Sequence, residues 1–203
     1  MIKNIIFDIG GVLITKTKYN KMALTISKLI FKQNKVLRET NIQPKIKKYW
    51  RDWRVSKISE KEFFERVKIT LNLKYPIFFI KKHLYSAHEV DYEILNLIKE
   101  LKQNHKMYSL TNHAREWYNS QDKQIHFNEL FDGVVTSFDA KIAKPSIKIY
   151  KFLLKKYKIK PKETIFIDDQ EENLETARKL GIKAIHYKNI IQLKKELKKY
   201  DIL

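Results

Sequence analysis

Cysteine is absent from this 203-residue sequence. Disulfides, thiolate metal sites and cysteine nucleophiles are therefore excluded, and a reducing compartment is the simplest home for the chain. Any metal must sit on oxygen or imidazole. Glycine and proline are scarce, with four of each, and no low-complexity linker or internal repeat interrupts the chain. Long uncharged stretches are missing as well: none approaches the ~20 residues that a membrane-spanning helix needs. The opening Met1-Ile2-Lys3 with its apolar continuation has only the superficial look of a signal peptide, because Asp8 breaks the run and no small-residue cleavage site follows. These absences predict a soluble, cytoplasmic protein without membrane association.

Acidic residues are outnumbered, 23 against 42 Lys and Arg, for a formal net charge of +19. Such a field attracts polyanions. The excess is nearly all lysine, however, and it runs the length of the chain beside abundant Ile, Asn and Tyr, as a compositional bias would spread it. No nucleic-acid recognition motif accompanies it, so nucleic acid is not an expected partner. The charge would instead help draw in a small phosphorylated substrate. At 43% hydrophobic residues the chain can bury one core and a small accessory domain.

From Ile2 to Phe7 the residues are apolar and rich in β-branching, and the run stops at Asp8 before Gly10-Gly11, as a buried parallel strand entering a loop would. Between about Asn20 and about His88 apolar residues recur at three- and four-residue spacing. Ile58, Phe63, Phe64 and Val67 are one such set, around a Ser59 N-cap with Glu62 at the capping-box position. That segment predicts several helices. After Asp91 helix and strand alternate: a helix through Ile94, Leu97, Ile98 and Leu101, a strand Met107 to Leu110, a helix Ala114 to Asp122, and a strand Gly133 to Thr136. A helix Ser146 to Tyr157, a strand Thr164 to Ile167, a helix Glu171 to Leu180 ended by Gly181, a strand Lys183 to Tyr187 and a last amphipathic helix follow. Repeated strand-helix units imply a central parallel sheet covered on both faces. The expected organisation is an α/β core, residues 1–14 and 90–203, interrupted after its first strand by a helical insertion, residues 15–89.

Ligands of such sheets bind at the carboxyl ends of the strands. Those positions are Asp8, Thr111-Asn112, Lys144 in the loop after the third strand, and Asp168-Asp169. Carboxylates brought together resist joint ionisation unless a cation neutralises them, and an all-oxygen set suits Mg²⁺. Taken singly, Asp168-Asp169 equally suits a helix cap, and Asn173, one turn later, a structural hydrogen bond. Lys141 competes with Lys144, but the proline and helix start that follow favour Lys144.

Four segments in chain order resemble the motifs of the haloacid dehalogenase-like (HAD) superfamily: Phe7-Asp8-Ile9-Gly10-Gly11-Val12-Leu13, Leu110-Thr111-Asn112, Lys144-Pro145, and Phe166-Ile167-Asp168-Asp169 with Asn173. The resemblance implies a Rossmannoid core with a small all-helical cap, and a Mg²⁺-dependent phosphatase with Asp8 as nucleophile. It further implies that Asp8, the Gly10 carbonyl and Asp168 hold the metal, with Asp169 as a further ligand or orienting partner. Thr111 hydroxyl and the amide of Asn112 would bind the phosphoryl oxygens, and Lys144 would neutralise their charge.

Phosphatases of this superfamily mostly carry a second aspartate two residues after the nucleophile, where this chain has Gly10. Its absence implies a weakened enzyme, another group doing the proton transfer, or a leaving group that needs little protonation, as in the favoured sugar-1-phosphates, acyl or aryl phosphates. Dehalogenases of the superfamily share the absence but generally lack the acidic pair of the fourth motif, so Asp168-Asp169 favours phosphoryl transfer. A noncatalytic, degenerate phosphatase reused for binding is the third reading. In the cap, Trp50 and Trp53 would stack on a sugar face, with Arg51 or Arg54 reaching an oxygen, or else pack the cap bundle. His113 would contact substrate or supply the missing proton transfer. The expected assembly is a monomer or homodimer.

Overall fold

The apolar run at the amino end forms strand β1 (Asn4–Phe7), with all four residues buried. A computed structural model describes residues 1–14, 42–85 and 90–203. The parts of the expected insertion at 15–41 and 86–89 lie outside the described residues. Among the described residues, the helices α1 (Ile42–Arg54), α2 (Glu60–Thr70) and α3 (Ile77–Tyr85) come after β1. The alternating portion then runs α4 (Tyr92–Leu101), β2 (Lys106–Thr111), α5 (Arg115–Ile125), α6 (Phe127–Leu130), β3 (Gly133–Thr136), α7 (Ser137–Ala140), α8 (Ile147–Lys156), β4 (Thr164–Asp168), α9 (Glu171–Lys179), β5 (Lys183–His186) and α10 (Ile190–Lys198).

All five strands pair in parallel, in the order β3-β2-β1-β4-β5. Alternate residues serve opposite faces, which is why the strands read as continuous apolar runs. Ile5, Phe7, Met107, Ile165 and Ile167 pack with Ile94, Leu97, Ile98 and Leu101 of α4 and Leu193 and Leu197 of α10. Ile6, Tyr108, Leu110 and Phe166 pack on the other face with Ile149, Tyr150 and Leu153 of α8 and Leu174 and Ala177 of α9. The α4 set recurs at one-turn spacing, and its start is fixed by Asp91, whose carboxylate accepts hydrogen bonds from the Glu93 and Ile94 amides. At about 1.5–3 kcal/mol for each fully buried large side chain, these two layers supply most of the drive to fold.

The helices after β1 form their own apolar cluster around Trp53, Phe63, Phe64 and Val67, which extends to Ala114 and Trp117 of the sheet-bearing portion. The predicted Ser59 cap is present, its hydroxyl accepting from the Glu62 amide, but the Glu62 side chain pairs with Arg66. Polar ties join this cluster to the α/β portion: Trp53 Nε1 donates to Glu116 (3.0 Å), the Ser137 hydroxyl to the Arg54 carbonyl (2.7 Å) and the Ser56 hydroxyl to the Phe138 carbonyl (3.5 Å). Among the described residues no helix is long and apolar enough to cross a membrane.

Candidate active site

β1 connects toward β2 on one side of the sheet and β4 connects toward β5 on the other, so their carboxyl ends border the crevice at a topological switch point. Asp8 leaves β1 there and Asp168 ends β4. The Asp8 amide donates to the Ile167 carbonyl (2.9 Å), which keeps the two strands in step up to the site. Lys144, from the loop between β3 and α8, reaches in from the β2 side. Its Nζ lies 3.0 Å from Asp8 Oδ1 and 2.7 Å from Asp168 Oδ2, with all three side chains buried.

Asp169 completes the cluster: Asp8, Asp168 and Asp169 each offer an oxygen within 4.8 Å of the others. Gly11 makes room for it. Its φ of +85° suits glycine, and a Cβ there would stand 2.7 Å from the Asp169 carboxylate carbon. Three carboxylates against one ammonium leave an ionised cluster two charges short of neutral. An all-oxygen donor set with that deficit fits a hard divalent cation.

Burial pushes the Asp8 carboxyl up to about 6, with Asp168 adding to the rise; Lys144 and the Ile9 amide, 2.7 Å from Asp8 Oδ1, pull the other way. Burial by itself would lower the Lys144 ammonium, but the Asp168 and Asp8 carboxylates overcome it and hold it above the usual lysine range. Lys144 is thus a fixed cation between two acids.

Asp168 is held by its own helix. Its Oδ1 accepts from the Gln170 amide (2.8 Å), and Asn173 Nδ2 lies 3.0 Å from both Asp168 oxygens. The N-cap of α9 is Gln170 rather than either aspartate. His186 Nε2 lies 3.0 Å from the Asp169 carbonyl, and its Nδ1 3.3 Å from the Glu171 carboxylate.

Thr111 is the buried last residue of β2. The Asn112 side chain is paired with the main chain of Lys144 through its Oδ1 and its Nδ2. The His113 ring is buried 4.9 Å from Trp117 and 5.8 Å from Tyr118, so it takes part in aromatic packing. Lys141 is an exposed left-handed residue closing α7. Trp53, at 1% exposure and stacked on Phe63 at 4.4 Å, has no face left for a sugar, so the packing reading holds for it. Trp50 is half-buried beside Trp53, Phe63 and Trp117, with the Arg54 guanidinium over its ring. Gly10 has open space around the direction a Cβ would take. Gly11 and the Asn112 side chain are the two features that strand-end reading missed. The second glycine of the pair was the available signal for the first; nothing local marks the other.

The family model described as haloacid dehalogenase-like hydrolase matches residues 2–181. A D-ribitol-5-phosphate phosphatase of Bacteroides thetaiotaomicron is 26% identical over 97% of this chain and 97% of its own length. A sesquiterpene phosphatase of Aspergillus oryzae, astK, is 33% identical over 47% of this chain, an alignment that spans only 50% of that relative. Among solved structures, a HAD family enzyme of Bacteroides thetaiotaomicron in complex with magnesium and inorganic phosphate superposes with a TM-score of 0.78 at 25% identity, covering 93% of this chain and 95% of its own.

Proposed function

The chain belongs to the haloacid dehalogenase-like hydrolases, and from that premise we propose that it is a Mg²⁺-dependent phosphatase acting on a small sugar or polyol phosphate, with Asp8 as nucleophile. The observation that carries the reading is the cluster of three carboxylates at the switch point, of which buried Asp8 and Asp168 share the one Lys144 ammonium, leaving the ionised group two charges short of neutral. The chain's likeness over nearly the full length to a D-ribitol-5-phosphate phosphatase supports phosphoryl transfer from a small polyhydroxylated metabolite; ribitol 5-phosphate is a primary alkyl ester, so the leaving-group preference given below rests on Gly10 alone.

Asp8, Asp168, Asp169 and the Gly10 carbonyl would hold the metal. Bound there, Mg²⁺ supplies the charge that lets the carboxylates stay ionised together and draws electron density from phosphoryl oxygens. Asp8 then attacks phosphorus in line; the ester P–O bond breaks, and the departing oxygen leaves with a proton from solvent or from the substrate's surroundings. Water attacks phosphorus in the aspartyl-phosphate, releasing inorganic phosphate and regenerating Asp8. Thr111 and the Asn112 main-chain N–H bind the equatorial oxygens. Lys144 offsets the charge that gathers on them and steadies Asp8.

The helices within residues 42–85 act as a cap over the substrate's leaving group. Because Gly10 offers no acid, the enzyme favours leaving groups that depart with little protonation, such as the anomeric oxygen of a sugar-1-phosphate, over primary alkoxides. Turnover of p-nitrophenyl phosphate with Mg²⁺, abolished by EDTA and by Asp8→Asn, tests the reaction, and a panel of phosphate esters tests the preference. Metal-independent release of halide from 2-haloacids would replace the reading with a dehalogenase.

A further inference from the structure

The Asn112 side chain is engaged at both ends. Its Nδ2 donates to the Lys144 carbonyl at 2.9 Å and its Oδ1 accepts from the Lys144 amide at 2.8 Å. A carboxamide presents the same donor and acceptor as a peptide unit, so Asn112 pairs with the Lys144 main chain as a neighbouring strand would, although no strand is present there. We propose that Asn112 is a positioning residue, whose side chain clamps the Lys144 main chain so that the Lys144 ammonium is held between Asp8 and Asp168. The inference rests on the proposed role of Lys144 in phosphoryl transfer.

Three features make the clamp consequential. Lys144 lies in the loop between Ala140, the last residue of α7, and Ile147, the first of α8, so no regular element fixes its backbone. Its side chain must nevertheless deliver one nitrogen to two carboxylates at 3.0 and 2.7 Å. Finally, the next residue is held from the opposite side, where the Thr176 hydroxyl of α9 donates to the Pro145 carbonyl at 3.0 Å. Lys144-Pro145 is thus gripped between the loop after β2 and helix α9, which themselves follow Thr111 and Asp168-Asp169. Loosening the β2 side lets the lysine stem swing, and small displacements of a charge-stabilising group are costly in rate.

A double-mutant cycle with an exchange readout tests the clamp. In saturating Mg²⁺ with p-nitrophenyl phosphate, Asn112→Ala is expected to lower kcat about 10- to 100-fold, and Asn112→Asp, which keeps the acceptor and loses the donor, to fall between it and wild type. In a Lys144→Ala background the further loss from Asn112→Ala shrinks to less than about twofold, because there is no ammonium left to position. Hydrogen exchange at the Lys144 amide, read by NMR, accelerates at least about tenfold in Asn112→Ala and stays near wild type in Asn112→Asp. Losses that multiply in the double variant would assign Asn112 a separate role and overturn the proposal, as would an unchanged Lys144 amide in Asn112→Ala. If wild type and Lys144→Ala both fail to turn over phosphate esters, it is the phosphatase reading that falls; the exchange measurement still decides whether Asn112 holds Lys144.

Discussion

Replacing Asp8, the proposed nucleophile, is expected to make the metal-free protein more stable while ending its activity. Asp8 titrates at about 6 in the fold against an ordinary value of 3.8, chiefly because burial penalises the carboxylate. A carboxyl raised in this way favours folding only while protonated: its contribution is fully present below the unfolded value and is lost as pH rises through about 6. At 1.36 kcal/mol per pKa unit, a rise of roughly two units makes ionised Asp8 a penalty of about 3 kcal/mol at about pH 7.5, a figure that already contains the attraction of Lys144. In Asp8→Asn the carboxamide oxygen can still accept from the Ile9 amide, and Lys144 keeps Asp168 as its partner. Thermal unfolding in EDTA at about pH 7.5 should therefore place the variant ~6–12 °C above wild type, at 2–4 °C per kcal/mol for a chain of this size. The gap should narrow at about pH 5, where wild-type Asp8 is largely protonated. Adding Mg²⁺ should raise wild type by ~2.7 kcal/mol at a hundred times its Kd and the variant by less. A variant equal to or less stable than wild type in EDTA, or a gap that is the same at both pH values, would refute the reasoning.

Gly11→Ala places a Cβ 2.7 Å from the Asp169 carboxylate in a left-handed backbone, so Mg²⁺ affinity measured by titration calorimetry should fall at least about tenfold with a stability loss of about 1–2 kcal/mol in urea. Gly10→Asp meets no obstacle at its Cβ and, by supplying a proton donor, should raise turnover of primary alkyl phosphates by about 10- to 100-fold more than that of p-nitrophenyl phosphate, whose leaving group needs no acid. Equal effects on both esters would show that Asp does not reach the leaving oxygen. Ser137→Ala removes a buried hydroxyl that accepts from the His113 amide and donates to the Arg54 carbonyl; urea unfolding should show a loss of about 1–3 kcal/mol from the two hydrogen bonds removed.

The strand and helix alternation after Asp91 was readable because buried parallel strands are continuous apolar runs and the helices between them repeat at one-turn spacing. Strand limits shifted by a residue or two, as with β1 starting at Asn4 and β2 extending to Thr111. Phe127–Leu130 and Ser137–Ala140 escaped notice for a physical reason: four residues are too few for helical periodicity to show. The site positions were visible because each acidic or hydroxyl residue ends an apolar run, where side chains of a parallel sheet point into the ligand crevice. What those side chains bond to was not visible. Asn112 pairs with a peptide unit 32 residues away, and a hydrogen bond to a main chain leaves no pattern in the residue it holds. Trp50 and Trp53 pose the same difficulty, since an aromatic pair on a helix suits either a binding wall or a core; contact with Phe63 and Glu116 decided it for Trp53.

The placement of charge is the least economical feature of the fold considered as a fold. A buried acid-lysine-acid group seldom improves stability over an apolar packing of equal volume. Here a further acid, Asp169, stands within reach of the other two, and a glycine with positive φ leaves room for its carboxylate. Neither addition helps the sheet, whose two faces are already closed by α4 and α10 on one side and α8 and α9 on the other. The stability forgone is confined to the crevice between β1 and β4, where two strands turn away from each other and backbone pairing ends. A site assembled there can bear like charges without disturbing the ladder behind it, because the main-chain bond from Asp8 to Ile167 closes the sheet immediately below. The cost falls on the metal-free state alone, and binding a divalent cation removes it. The destabilisation measured in EDTA and the affinity for Mg²⁺ should therefore rise and fall together across substitutions of Asp8 and Asp169, whereas Gly11→Ala, which adds backbone strain of its own, lowers stability and affinity alike.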